Sequence, residues 1–388
     1  MSWPVAALGD LFDVARGGSP RPIDNYLTDS PDGVNWVSIS DATDSTKYIE
    51  KTKRKITRAG VSRSRTVTPG DFLLTNSMSF GRPYIMATSG CIHDGWLALS
   101  PRTDRTDRDY LFHILGSPAT YRKFERLASG ATVKNLNIDL VRSVEIPLPP
   151  LDEQRRIAAI LDQANELRRK RREVSDRLNT LISATFLDFF GDPVSNACRW
   201  PVSRLGDVGT LDRGVSKHRP RNDPALLGGR YPLIQTGDVA NSGGAIRSYK
   251  STYSDFGLRQ SRLWPRGTLC ITIAANIGKT GILDFDACFP DSVVGFSPGP
   301  DVTAHYVQTW MSFIQEKLEN DAPESAQKNI NLEILRNLEI PIPTRRAQDG
   351  FDQLVMETTR LAAKNGEGLS TLDALFASLQ HRAFAGEL

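Results

Sequence analysis

The chain has 388 residues, 48 Lys+Arg against 45 Asp+Glu, and a formal charge of +3. With 39% apolar and 24% charged residues it has too much core-forming side chain for a disordered protein, and its length suits two or three domains. No apolar run approaches the ~20 residues of a membrane helix, MSWPVAALGDLFD does not read as a secretory signal, and Cys91, Cys198, Cys270 and Cys288 are too scattered for a metal motif or disulfide frame, so a cytoplasmic location is expected.

Residues 1–150 carry short apolar runs separated by Gly, Pro, Asp and Ser. Trp36–Ile39 and Asp71–Thr75 read as strands, with Pro69-Gly70 as a turn before the second. Tyr110–Leu115 and Tyr121–Leu127 have helical spacing. Ile146-Pro147-Leu148-Pro149-Pro150 cannot be helical, because proline fixes φ and lacks a donor. Asp152-Glu153 then suits a helix N-terminus, and no Pro or Gly occurs before Gly191-Asp192-Pro193. One long helix is therefore expected within 151–191. Residues 192–344 return to the first texture, with Pro232–Gln235 and Leu269–Thr272 as strands. Residues 345–388 predict a second long helix, kinked or broken at Gly366 and Gly368, since each glycine costs up to ~1 kcal/mol relative to alanine.

The chain is written twice. Trp3-Pro4-Val5 returns as Trp200-Pro201-Val202, Leu8-Gly9-Asp10 as Leu205-Gly206-Asp207, and Cys91 as Cys288. Further on, Arg142 returns as Arg336 and Glu145-Ile146-Pro147 as Glu339-Ile340-Pro341. Both long segments fit a seven-residue pattern. In the first, Ile157, Ala164, Arg171, Leu178 and Thr185 alternate with Ile160, Leu167, Val174, Leu181 and Asp188. In the second, Phe351, Thr358, Asn365, Leu372 and Leu379 alternate with Leu354, Leu361, Gly368, Leu375 and Arg382. Such a seam wants a partner helix, and the other copy, packed antiparallel, is the expected one. Packing of each helix on its own domain is the alternative. The expected fold is mixed α/β (α+β): two pseudo-repeated globular domains joined and spaced by two long helices that form an antiparallel coiled coil.

IPLPPLDEQRRIAAILDQANELRRKRREV, residues 146–174, resembles the central conserved region of type I restriction-modification specificity subunits. Its Pro-rich lead, Glu153-Gln154 and Ile157-Ala158-x-Ile160-Leu161 carry the likeness. GATVKNLN (130–137) and QKNINLEIL (327–335) resemble the ends of that family's target recognition domains. The second copy has Thr344-Arg345-Arg346-Ala347-Gln348 in place of Pro-Leu-Asp-Glu-Gln, so only Gln348 persists. The resemblance implies recognition domains at 1–150 and 192–344 and spacer helices at 151–191 and 345–388. It implies a non-catalytic subunit without its own metal or cofactor, each domain reading one half of a bipartite double-stranded DNA target. The helices would set the spacer and dock two methyltransferase subunits, which bind S-adenosylmethionine and methylate adenine. Restriction and translocase subunits would join them, with no membrane partner.

DNA affinity requires local clusters of cations. Lys47, Lys51, Lys53, Arg54, Lys55, Arg58, Arg63 and Arg65 face only Glu50 along the chain. Arg213, Lys217, Arg219 and Arg221 form a second cluster, and Arg247, Lys250, Arg259, Arg262 and Arg266 a sparser third. Arg, Asn and Gln make bidentate contacts to bases, which adds Asn76, Gln235, Gln260 and Asn276 as candidates. The equivalent loops Ser79-Phe80-Gly81-Arg82 and Asn276-Ile277-Gly278-Lys279 set a glycine beside a cation, a pattern suited to phosphate or to a plain turn. Gly278-Lys279-Thr280 is not a P-loop, because Ile273 stands where that motif needs glycine. Arg168–Arg172 is a basic run at mid-helix, suited to a solvated face, spacer phosphates or an acidic partner. No adenine-methyltransferase, nuclease or histidine metal motif is present in the sequence. On the residues alone, a stand-alone nucleic-acid enzyme with an unrecognised site and a structural module without DNA contact remain open.

Overall fold

The computed structural model describes residues 3–43, 45–76, 81–128, 136–274, 276–320 and 330–388. Ser79, Phe80, residues 130–135 of the first motif and 327–329 of the second lie outside them. The chain forms two units, Met1–Arg171 with Gly368–Leu388, and Arg172–Glu367. Each holds one globular part and a segment of both long helices.

In the first unit, a five-stranded sheet has the order Phe12–Arg16, Trp96–Pro101, Phe72–Thr75, Pro83–Met86, Tyr48–Ile49. Its inner strands Trp96–Pro101, Phe72–Thr75 and Pro83–Met86 are largely apolar runs because both faces are covered. Phe72 and Leu74 enter one core with Ile85, Leu97 and Leu99, while Leu73 enters the other with Tyr84 and Trp96. A second sheet has the order Leu27–Thr28, Arg54–Ile56, Val34–Val37, Gly90–Ile92, Arg65–Val67. The second unit repeats the main sheet as Gly209–Arg213, Val293–Pro298, Leu269–Thr272, Thr280–Leu283, Ala245–Ile246. It replaces the other sheet by a bulged pair, Leu227–Leu233 with Ser251–Tyr253. Two expected strand ends are helical starts instead. Ile39 opens the helix Ile39–Thr43, where Asp41 accepts from the Ser38 amide, and Gln235 is the N-cap of Thr236–Ala240.

The proline leads are edge strands: Glu145–Pro147 pairs antiparallel with Val5–Ala7, and Glu339–Pro341 with Val202–Arg204. From them start the helices Leu151–Phe190 and Arg345–Ala385. A fully buried glutamine fixes each start. Gln154 Oε1 accepts from the Asp107 amide at 2.7 Å, and its Nε2 donates to the Arg105 and Pro149 carbonyls. Gln348 makes the same three bonds, to the Thr303 amide and the Asp301 and Pro343 carbonyls. Glu153 only pairs with Arg156 one turn on, which is why the motif survives its loss but keeps the glutamine.

The second helix has no break at Gly366 or Gly368. A Cβ on Gly368 would stand 3.2 Å from the Arg171 guanidinium carbon, so the glycine makes room for a side chain of the facing helix, and Gly366 borders open space. Tertiary packing overrides the propensity.

Within each unit the helix segments run antiparallel. Arg168 Nε donates to Asp373 at 2.5 Å and the guanidinium lies over the Phe376 ring. Asn365 donates to the Ser175 hydroxyl at 2.7 Å, and the Phe186 and Phe351 rings meet at 5.6 Å. The pairing is as expected, and the phase of its second row is not. Ile157, Ala164 and Phe351 are buried, with Leu178 and Leu372 half-buried. The second covered row runs through Leu161, Arg168, Ser175 and Ile182, and through Val355, Ala362, Leu369, Phe376 and Ala383, four residues on rather than three; Leu161, Val355 and Ala383 are buried and the rest half-buried. Ile160 is only partly covered, and Leu167, Val174, Leu181, Leu354, Leu361 and Leu375 are 43–53% exposed. Polar Arg168 and Ser175 hold the inner row because each finds a polar partner across the seam. The apolar row beside it is left facing outward. Among the described residues no helix is long and apolar enough to cross a membrane.

Candidate nucleic-acid interface

In the first unit the smaller sheet gathers most of the basic cluster. Arg54 and Lys55 are neighbours on the strand Arg54–Ile56, so they leave it on opposite faces. Arg54 is exposed, whereas Lys55 Nζ donates to the Pro31 carbonyl. Lys51 and Lys53 are exposed on the approach, where the Lys53 amide donates to buried Asp41. Arg58 stands exposed on the helix Arg58–Val61, and Arg65 on the edge strand paired with Gly90–Ile92. The Arg63 guanidinium lies 5.7 Å from the Tyr26 ring centre. Arg82, just before the strand Pro83–Met86 of the other sheet, is exposed beside Tyr84. Each of these arginines is exposed without an acid in ion-pair reach among the described residues, and so is available to neutralise a phosphate.

Two residues expected to touch DNA are committed to the interior instead. Lys47 reaches Asp109 at 2.8 Å and Asp162 at 3.2 Å, and lies over the Phe112 ring. His113 Nε2 meets Asp162 at 2.8 Å, so the four groups close the junction between sheet and helix. Burial alone would depress the Lys47 ammonium, yet the hydrogen bond to Asp109 and the charge of Asp162 hold it above the ordinary lysine range. Burial would raise the Asp162 carboxyl, but His113 and Lys47 bring it below the ordinary value. Asn76 is 1% exposed and donates to the Asp94 carbonyl at 2.7 Å. Neither role was legible in the sequence, since the partners lie far away along the chain.

In the second unit, Gln260 is a positioning residue and not a free base reader. Its Oε1 accepts from the Lys217 amide at 2.7 Å and the His218 amide at 3.0 Å. This brings exposed Lys217 to the end of the helix Asp255–Arg259, where exposed Arg259 lies over the Phe256 ring. Arg219 donates to the Ser216 carbonyl, and Arg221 pairs with Asp291 at 2.7 Å. The same link exists in the first unit, where Arg21 pairs with Asp94. Arg213 is exposed on the strand Gly209–Arg213. Gln235 is exposed at its helix N-cap, apart from this group.

Asn276 and Lys279 lie elsewhere. Asn276 has φ +54° and Gly278 φ +73°, a tight loop that presents Lys279 outward, its ammonium donating to Gln315 at 3.2 Å. In the sparser group, Arg262 is spent on Asp212 and the Trp264 ring, and Arg266 on Asp284. At mid-helix, Arg168 is held by Asp373 of the facing helix, whereas Arg169 and Lys170 pair with Glu166 one turn back on their own helix. Cys91 and Cys288 are buried in small cores, and burial pushes both thiols up. Among the described residues no three His, Cys, Asp or Glu side chains come together in a way that could hold a metal.

The sequence pattern described as the type I restriction modification DNA specificity domain matches residues 2–174 and again 199–374. The chain is 24% identical to the type I restriction enzyme MjaIX specificity subunit of Methanocaldococcus jannaschii over 60% of its own length and 57% of that relative's. It is 21% identical to the type I restriction enzyme EcoBI specificity subunit of Escherichia coli, over 83% and 74%. The fold is similar to a crystal structure of the type I restriction-modification system S subunit from M. genitalium, with TM-score 0.59, 15% identity and coverage of 99% and 96%.

Proposed function

The chain belongs to the type I restriction modification DNA specificity family, and from that premise we propose that it is the non-catalytic subunit that reads a bipartite DNA target. Each globular part contacts one half of the target through its exposed arginines. The long helices fix the spacer between the halves and dock two methyltransferase subunits. Adenine methylation with S-adenosylmethionine, translocation and cutting belong to the partners, and the complex acts in the cytoplasm.

The observation that carries this reading is the duplication. Two self-contained cores each present exposed cations: Arg54, Arg58 and Arg65 in one, Arg213, Lys217 and Arg259 in the other. A two-part surface suits a two-part ligand. The outward apolar row, Leu167, Val174, Leu181, Leu354, Leu361 and Leu375, supports docking, because a repeated exposed leucine stripe is costly to leave in water. The test is co-expression with the neighbouring methyltransferase. The expected product is a complex of two methyltransferase subunits to one of this chain that binds duplex DNA in a salt-dependent manner. Methylation or cleavage of DNA by the isolated chain contradicts the reading.

A further inference from the structure

The two units differ at one equivalent spot. In the first, the Lys47 carbonyl accepts from the Ile85 amide at 2.9 Å; in the second, the Gly244 carbonyl accepts from the Ile282 amide at 2.9 Å. Gly244 is thus the counterpart of Lys47. Tyr110 and Tyr306 donate to the equivalent Pro147 and Pro341 carbonyls, which aligns His113 with Thr309. The matching bonds of Gln154 and Gln348 align Asp162 with Met356. Glycine, threonine and methionine cannot rebuild the Lys47–Asp162–His113 cluster. The second unit's acid, Asp352, stands one turn earlier, where it accepts from Thr303 at 2.8 Å and meets His305. Where the ion cluster bridges the first junction, the second holds a cleft of about 1040 Å³.

Its lining mixes apolar side chains, among them Ile182, Ile282, Leu283, Val355 and Met356, with cations. Arg247, Lys279 and Arg360 line it, and among the described residues none has an acid in ion-pair reach. The only acid among the described lining residues is Asp284, already paired with Arg266 at 2.6 Å. A polar stripe of the helix Ala304–Asn320, including Gln308, Thr309, Ser312 and Gln315, forms another side. Rim glycines Gly243 and Gly267 have nothing within 4 Å of where a Cβ would stand, so a ligand can approach the backbone there. Among the described lining residues there is no phenylalanine, tyrosine or tryptophan, whereas protein-docking hot spots favour such anchors.

We propose that this cleft seats the sugar–phosphate backbone of duplex DNA, as a sequence-independent grip that the second unit has and that the ion cluster closes off in the first. The proposal rests on the DNA-recognition reading above and adds an asymmetry to it: the copies share a fold while one holds the backbone at an additional place.

The test is fluorescence anisotropy with the full chain and two duplexes of equal length, one carrying the recognised motif and one unrelated, across a salt series. Arg247→Gln, Lys279→Gln and Arg360→Gln are combined, and thermal unfolding confirms that the variant is folded. Binding should weaken by a similar factor for both duplexes, about tenfold or more at low salt, and the slope of log K against log salt should flatten by about 0.9 for each phosphate no longer neutralised. Unchanged affinity and slope overturn the proposal. Weakening confined to the motif duplex also overturns it, because the residues then read bases. Intact DNA binding together with failed methyltransferase co-purification overturns it in favour of a protein-docking cleft. If the unmodified chain binds neither duplex at any salt, the DNA-recognition reading fails, an outcome distinct from the others.

Discussion

Gln154 and Gln348 carry more of the architecture than their place in a variable motif suggests. Each satisfies one amide and two carbonyls in a dry junction, so truncation leaves three backbone groups unpaired. Gln154→Ala should lower the stability of the first unit by about 2–4 kcal/mol, seen as an earlier thermal transition, with the second unit's transition unmoved. The Lys47–Asp162–His113 cluster gives a pH signature. Asp162 has a folded pKa below its unfolded one, so it contributes stability above the unfolded value that is lost as pH falls through the folded one. Lys47 has the opposite shift, so its contribution is present below its unfolded pKa and is lost at strongly alkaline pH. Unfolding curves between about pH 5 and pH 2 should be flatter for Asp162→Asn than for the unmodified chain; identical acid limbs would remove the cluster from the stability account. The sequence marked Lys47 as a DNA contact because it opens a basic run. It pairs instead with Asp109 and Asp162, the latter 115 residues away, a distance over which charge patterning carries no information. Gln260 holds a loop through its Oε1, and an amide that reads bases and one that holds a loop look alike until the loop is in place.

At the scale of the element, the long helices were legible because prolines and glycines punctuate them, and their pairing because apolar residues recur every seven positions. The phase of the inner row was not legible. Two apolar sets flank the first seam, and hydrophobicity alone favours Leu167 and Val174 over Arg168 and Ser175. Only the facing helix, with Asp373 and Asn365 at the right height, decides for the polar pair. The distinction is testable by contrast. Leu178→Asp or Leu372→Asp, in the seam, should destabilise the helix pair by about 2 kcal/mol or more, because an unpaired carboxylate would sit among covered side chains. Leu181→Asp, on the outward row, should leave thermal stability within about 0.5 kcal/mol while weakening methyltransferase co-purification. Equal destabilisation by both would mean that the outward row is covered within this chain.

For the whole molecule, the sequence repeat already divided the chain into two similar halves, and matched buried strands such as Phe72–Thr75 and Leu269–Thr272 follow from it. What the repeat hid was divergence. Among the described residues the smaller sheet of the first half has five strands and its counterpart two, and the junction bridged by an ion cluster in one half holds a cleft in the other. Two copies free to diverge on the surface while keeping their cores are what an asymmetric target requires. The near-neutral charge averages over exposed arginines and the acids that pair with the rest. The central claim is that this chain chooses a split target, and the most direct measurement is methylome sequencing of the source strain with and without its gene. The expected result is a methylated adenine motif made of two short specific halves around a fixed unspecified spacer, which disappears when the gene is removed. An unchanged methylome, or loss of a single contiguous motif, would contradict it.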